Sequence, residues 1–511
     1  MPSYLSPGVY VEEVSSGSRP IEGVGTAVAA FVGFAEKGPV NEPTLVTNWS
    51  QFTQQFGDFM EGSYLAHTVY GYFLNGGGVA YVVRVGGSGE PELTQARGEL
   101  PAAGEPGRAA LVVKASASGE EGQRITVDVA EASEPAEDHF KLTVSVAGEV
   151  KETFDNVTVR KGPRNVMTAV RQGSKLIVLE DVKGAPLVAP TKGSRVALSG
   201  GAVPAAPVPQ VSARDYVGDS SDRTGFAGLE AIDEITMLCV PDVMSAYQHN
   251  VLDADGVKAV HQAMIAHCEL MADRIAIIDP PPGMNARQVK TWREEGAGYD
   301  SKYAALYWPW IRVMDPVAGK PAMVPPSGHM AGIWARNDST RGVHKAPANE
   351  TVRGAIALEL AITKGEHDLL NPIGVNCIRA FPGQGIRVWG ARTLSSDPEW
   401  RYINVRRLFN YVEESILQGT NWVVFEPNDP KLWDSVKRTV TMFLRGVWRD
   451  GALFGRTPDS AFFVKCDEEN NPASSRDLGI LNVEIGIAPV KPAEFVVFRI
   501  SQYSDGAGLE E

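Results

Sequence analysis

Ile235-Thr236-Met237-Leu238-Cys239-Val240-Pro241 and Arg274-Ile275-Ala276-Ile277-Ile278-Asp279-Pro280 decide the fold. Each is a short apolar run closed by proline, as expected of a strand buried on both faces. Between them, residues 255–273 place Val257, Val260, Met264, Ile265 and Cys268 on one helical stripe. Strand, helix, strand in that order predicts a mostly parallel sheet covered by helices. The same alternation occurs near the start of the chain. Val28-Ala29-Ala30-Phe31-Val32-Gly33-Phe34 reads as a buried strand ended by Glu36-Lys37-Gly38-Pro39. Residues 63–74 read as a helix closed by Asn75-Gly76-Gly77-Gly78, and Ala80-Tyr81-Val82-Val83-Arg84-Val85 as a second buried strand.

The alternation breaks at Gly86, where residues 86–107 become rich in Gly, Pro and Glu. From about 109 to 200 the chain carries short bursts such as Ile125-Thr126-Val127-Asp128-Val129 and Lys141-Leu142-Thr143-Val144-Ser145-Val146. Frequent turns between them predict an all-β pattern. It closes on Gly200-Gly201-Ala202-Val203-Pro204-Ala205-Ala206-Pro207-Val208-Pro209, a semi-stiff linker. Residues 90–212 therefore read as an all-β, sandwich-like domain inserted into the α/β core at an exposed loop. The α/β pattern resumes near Gly225. Asp397-Pro398 and Asp429-Pro430 each supply an N-cap and an N1 proline for a late helix. The first stripe is Val405, Leu408, Phe409, Val412 and Ile416; the second is Trp433, Val436, Val440, Phe443, Leu444 and Val447.

Both ends of the chain look like strands. Gly8-Val9-Tyr10-Val11-Glu12-Glu13-Val14 lies between Pro7 and Ser15-Ser16-Gly17, and Glu494-Phe495-Val496-Val497-Phe498-Arg499-Ile500 follows Pro489 and Pro492. A strand at a free end completes its backbone hydrogen bonds only by joining a sheet, its own or a neighbour's. Two such ends suggest a subunit built to be linked to others.

A length of 511 residues allows two to four domains. The net charge of −14 argues against a nucleic-acid backbone as main partner. Cys239, Cys268, Cys377 and Cys466 lie far apart, which predicts buried thiols in a reducing compartment, with neither disulfide frame nor zinc site. The N-terminus has no basic-then-apolar signal pattern, and no apolar run approaches the ~20 residues that span a bilayer. These features predict a protein made and kept in a cytosol.

Five stretches resemble contractile tail sheath proteins. They are Tyr4-Leu5-Ser6-Pro7-Gly8-Val9-Tyr10-Val11-Glu12-Glu13; Ala30-Phe31-Val32-Gly33 with Gly38-Pro39; Pro325-Pro326-Ser327-Gly328-His329-Met330-Ala331-Gly332, continuing through residues 341–349; Arg401-Tyr402-Ile403-Asn404-Val405-Arg406-Arg407-Leu408; and residues 485–500. The inserted β region carries no such motif. The resemblance implies a structural subunit that stacks in six-fold helical discs around a rigid inner tube and shortens to drive the tube through a target envelope. A phage-like bacterial injection system is favoured slightly over a phage tail. The implied partners are further copies of the chain, the inner tube protein, and baseplate and terminator or cap proteins. No cofactor, nucleic acid or membrane insertion is implied. The expected place is the bacterial cytoplasm at assembly, and then the phage tail or injection particle.

On this reading residues 1–20 are an N-terminal strand-exchange arm and 21–89 the first part of the core. Residues 213–390 are the subtilisin-like core, 391–487 a C-terminal α/β domain, and 488–511 a second strand-exchange arm. Val9, Tyr10, Val11, Glu12, Glu13, Val14, Phe495, Val496, Val497, Phe498 and Ile500 would join neighbouring subunits. Lys431, Lys437, Arg438, Arg445 and Arg449 give the last helix a basic face. That face is either merely solvated or turned toward an acidic tube.

Three patterns could carry other chemistry. Ser327 and His329 echo a serine-protease patch, but no G-x-S-x-G elbow accompanies them, and a tight loop packed on a neighbour is the expected structure. A subtilisin-like hydrolase would lose its activity on Ser327→Ala. Phe381-Pro382-Gly383-Gln384-Gly385 lacks the G-K-[ST] of a phosphate loop and predicts a β-turn. His261 and His267, six apart on a helix, lack metal-ligand spacing and predict one solvent-facing and one packed histidine. No catalytic, cofactor or metal residues are expected.

Overall fold

The computed structural model describes residues 20–86, 95–104, 108–118, 120–136, 138–182, 188–201 and 208–499. Residues 9–14 and Ile500 lie outside them. The chain divides into two compact units, Ser88–Pro207 and the remainder.

The larger unit is built on an eight-stranded sheet. Its order is Gly385–Val388, Val375–Phe381, Ala304–Trp308, Ile275–Ile278, Met237–Cys239, Val28–Gly33, Val79–Arg84 and Thr44–Val46. The six central strands pair in parallel, and each edge strand is antiparallel. Side chains alternate between two cores. Ala29, Phe31, Met237, Cys239, Ile275 and Ile277 face one, and Ala30, Val32, Leu238, Ala276 and Ile278 the other. A sheet covered on both faces has no polar side, so its strands read as unbroken apolar runs. The Ala254–Met271 helix covers one face through Val257, Val260, Met264, Ile265 and Cys268. The Leu65–Asn75 and Ser327–Arg341 helices cover the other.

The last two long helices run Ile403–Gly419 and Pro430–Arg449 and line a separate apolar cluster that includes Trp433, Val436, Val440 and Leu444. Asp429 caps the second helix through the Leu432 N–H, as its sequence predicts. Asp397 does not open the first. It caps a single 3₁₀ turn, Pro398–Trp400, and the chain then bridges Tyr402 to Arg392 before the helix begins at Ile403.

The smaller unit contains a four-stranded and a three-stranded antiparallel sheet around one cluster that includes Leu100, Leu111, Val127, Leu142 and Val170. It is not all-β. Asn165 caps a Val166–Gly173 helix, and Val166 and Val170, one turn apart, seal the cluster.

Candidate functional site

The protease-like patch is a packing device. Residues 327–332 form the buried first turns of the Ser327–Arg341 helix, not a loop. Their glycines let this helix meet Leu65–Asn75 at backbone distance. A Cβ on Gly328 would lie 2.2 Å from the Thr68 carbonyl oxygen, and one on Gly332 2.4 Å from that of Tyr72. Asp279 Oδ1 accepts the Ser327 N–H at 2.9 Å. Burial pushes the Asp279 carboxyl up to about 7 and His329 down to about 3, so His329 is neutral. Ser327 is fully buried, and among the described residues no histidine nitrogen hydrogen-bonds it. Nucleophile, base and carboxylate do not form a chain of contacts.

The other two patterns also resolve into structure. Phe381 and Gly385 pair across a turn between antiparallel strands. His261 and His267 are both buried, because the helix that carries them is covered on more than its sheet side. His261 Nδ1 lies 3.1 Å from the Tyr299 hydroxyl, and His267 Nε2 3.3 Å from Arg274 Nη1. All four cysteines are free and buried. Among the described residues there is no group of His, Cys, Asp or Glu arranged to hold a metal, and no helix is long and apolar enough to cross a membrane.

What the larger unit does present is unpaired backbone and uncovered apolar side chains. Phe462–Lys465 and Glu484–Ile487 form an antiparallel pair packed on the Pro430–Arg449 helix. Among the described residues no third strand joins either edge. Two strands alone are marginal, and their edges offer free N–H and C=O groups. Phe463 on this sheet is 56% exposed, with Phe454 and Leu478 also exposed.

The chain after the sheet is pinned and then released. The Val490 N–H donates to the Ala452 carbonyl, and Asn404 Nδ2 donates to the Val490 carbonyl at 3.1 Å. Glu494 is gripped bidentately by Arg392 Nε at 2.8 Å and Nη2 at 2.7 Å. Asn371 Nδ2 and the Tyr402 hydroxyl add two further donors. Burial works against the charge, but these donors hold the Glu494 carboxyl below the usual carboxylate range. Beyond this clamp Phe495, Val496, Val497 and Phe498 are 68–84% exposed and belong to no strand. Nothing local in the sequence marks the clamp, since Arg392 and Glu494 lie 102 positions apart.

Lys431, Lys437, Arg438, Arg445 and Arg449 are all exposed along Pro430–Arg449, and none forms an ion pair with a described residue. Elsewhere a buried pair locks the unit together. Arg407 meets Asp338 at 2.6 and 2.8 Å, Thr26 bonds both, and the guanidinium lies 4.9 Å from the Trp334 ring.

Among the described residues the larger unit thus joins a doubly covered sheet to a two-stranded sheet with no further strand, an uncovered apolar tail and five bases without ion pairs on one helix. Residues 227–394 match the phage tail sheath protein central domain, and residues 395–502 the phage tail sheath C-terminal domain. Together these span a little over half of the chain, which belongs to the phage tail sheath family. The tail sheath protein of Burkholderia phage BcepMu is 24% identical over 96% of this chain and 95% of its own length. That of Vibrio phage KVP40 is 29% identical over 37% of this chain, a match spanning 28% of the relative's length. The contracted helical sheath of the anti-feeding prophage superposes with a TM-score of 0.59 at 22% identity, covering 98% of this chain and all of the other. The chain is thus a tail sheath subunit.

Proposed function

We propose that the chain polymerises in six-fold helical discs around an inner tube and that the lattice shortens to drive the tube through a target envelope. The observation that carries this reading is the tail. It is fixed as far as Glu494 and leaves four large apolar side chains uncovered immediately beyond. Residues 495–500 add a strand to a neighbour's Phe462–Lys465 and Glu484–Ile487 sheet, and residues 9–14 do the same from the other end. Strand addition supplies several directional hydrogen bonds, while Pro489, Pro492 and the Ser15-Ser16-Gly17 flank let the joined body turn. The lattice then rearranges without coming apart. A gain of a few kcal/mol per subunit on contraction, repeated along the sheath, makes the change one-way.

The exposed bases at Lys431, Lys437, Arg438, Arg445 and Arg449 face the lumen and hold an acidic tube. Exposed ion pairs are weak one by one and suit a grip that must let go. The further partners are baseplate and terminator proteins. Assembly takes place in a bacterial cytoplasm, and a bacterial injection system is preferred to a phage tail.

Electron microscopy of two variants tests the joint. Deleting residues 1–17, or placing proline at Val496 and Phe498, is expected to leave a folded monomer that builds no sheath, because proline removes the donors a ladder needs. Tubes from either variant would refute that joint.

A further inference from the structure

An open groove of about 940 Å³ lies beside the exit of the chain at Glu494, with Pro372, Trp389, Phe495 and Val496 among its apolar walls. Its free charge is positive. Arg341, Arg379 and Lys491 line it and have no ion-pair partner among the described residues. The other lysines and arginine of the lining are neutralised within the fold: Lys345 by Glu350 at 2.8 Å, Lys364 by Asp368 at 2.8 Å and Arg392 by Glu494 at 2.7 Å. In a chain of net charge −14, three unpaired bases in one apolar-walled groove are the complement of an acidic surface.

The chain carries such a surface at one end of its two-stranded sheet. Lys465 and Glu484 pair across that end, and the turn beyond it runs Asp467-Glu468-Glu469-Asn470. The turn is held in shape. Asn470 Oδ1 accepts the Asp467 N–H at 2.9 Å, and Asp467 Oδ1 accepts the Glu469 N–H at 3.0 Å. Asn471 Nδ2 ties it to the sheet by donating to the Asp467 and Asn482 carbonyls. Lys465 neutralises Glu469 at 2.7 Å. Asp467, Glu468 and Glu484 have no ion pair with a described residue, and the last two are exposed. We propose that this acidic sheet end of one subunit seats in the basic groove of the next, with Glu468 and Glu484 against Arg341, Arg379 and Lys491. The proposal rests on the strand-joining reading, because the joint sets the approach. Phe495 and Val496 are groove wall, and Val497 and Phe498 follow directly. At ~3.3 Å per residue those two carry the chain ~7 Å, and a four-residue strand is ~13 Å long. A neighbour's sheet paired with residues 495–498 therefore has its acidic end at most ~20 Å from the groove, whichever way the added strand runs. So short a tether gives the two surfaces a millimolar effective concentration, and pairs that are weak one by one suffice. Groove and sheet end are different surfaces of one chain, so the contact is head-to-tail and propagates from copy to copy.

The test is zero-length carbodiimide coupling of tubes assembled from a mixture of ¹⁴N- and ¹⁵N-labelled full chain. Mass spectrometry then separates links between copies from links within one. The expected result is links between copies from Lys491 to Asp467, Glu468 or Glu484. The critical concentration for tube formation, read by sedimentation, supplies a second arm. Arg341→Glu with Lys491→Glu alters only exposed positions. It is expected to raise that concentration about tenfold at low salt, since each exposed pair contributes a few-fold at most. The rise should be smaller in about 0.5 M salt, where exposed charges are screened. Adding Glu468→Lys to that variant is expected to recover at least about threefold, a rescue that lost packing would not show. Tubes whose Lys491 makes no link to those three acids of another copy, or a groove variant that Glu468→Lys does not improve, would overturn the clasp and leave the joint standing. Tubes from the Val496→Pro, Phe498→Pro chain would refute the joint, and the clasp with it.

Discussion

The contact between the Leu65–Asn75 and Ser327–Arg341 helices makes a sharp prediction about glycine. Gly328→Ala puts a methyl carbon where the Thr68 carbonyl oxygen stands 2.2 Å away. A carbon and a carbonyl oxygen settle near ~3.3 Å, so the helices must part by about 1 Å. The obstacle is backbone and cannot rotate away. A radial gap of 0.5–1 Å already forfeits a quarter to a half of each dispersion contact, and overpacking of this kind costs about 1–3 kcal/mol. Since the obstacle is rigid, we take the upper end, about 3 kcal/mol, and subtract about 1 kcal/mol for the better helix propensity of alanine. The net is a loss of about 2 kcal/mol. Gly446 supplies the internal control. It lies within the Pro430–Arg449 helix and a Cβ there meets nothing within 4 Å, so Gly446→Ala should gain up to about 1 kcal/mol. Urea unfolding of the monomer, followed by the near-ultraviolet circular dichroism of buried Trp308, Trp310 and Trp334, measures both. With a slope of about 3 kcal/mol per molar urea, the midpoint should fall by about 0.7 M for Gly328→Ala and rise by about 0.3 M for Gly446→Ala. Equal shifts in the two variants would refute the packing argument.

Three further outcomes are expected. Asp338→Ala strands the Arg407 guanidinium, whose side chain is 4% exposed. The expected loss is about 3–5 kcal/mol, with Asp338→Leu combined with Arg407→Met milder, both by urea titration. Asp279→Asn isolates a buried acid whose folded pKa, about 7, lies above its ordinary value of 3.8. Such a group stabilises fully below the unfolded pKa and loses its contribution as pH rises through the folded one. The variant should therefore gain on the parent by about 4 kcal/mol between pH 4 and pH 8. The gain is read as a difference because buried His261 and His329 act in the opposite sense; a flat difference would contradict it. Lys437→Glu with Arg438→Glu should leave unfolding unchanged and abolish assembly around the tube, and tube-filled sheaths from that variant would refute the lumenal assignment.

What the sequence discloses follows from where each element puts its side chains. The parallel strands at Met237–Cys239 and Ile275–Ile278 were legible because a strand buried on both faces leaves a continuous apolar run. The Ser327–Arg341 helix was not. Its first nine residues, Ser327 to Ala335, are all buried, so it has no polar face to set a 3.6-residue rhythm, and its glycines suggest a turn. The short Val166–Gly173 helix offered too few turns to stand out from the β pattern around it. The Glu494 clamp was invisible for another reason. It joins three positions, Asn371, Arg392 and Tyr402, that only the folded chain brings to one carboxylate.

The stretch after Glu494 behaves differently, and the difference bears on function. Phe495, Val496, Val497 and Phe498 have the composition of a buried strand, yet the isolated chain exposes each by two thirds or more. Phe425 is fully exposed and carries a backbone φ of 68°, a conformation that costs a bulky residue energy. Leu417, Val424 and Met442 are exposed on the same pair of helices and their connection. Single exposed apolar residues are ordinary, but runs of them beside unpaired strand edges are not. A pattern that reads as core, left uncovered by the described residues, is the observation behind the proposed joint between subunits. For the tail, the strand composition is why the proposed partner surface is a sheet edge, which uses backbone and side chains together.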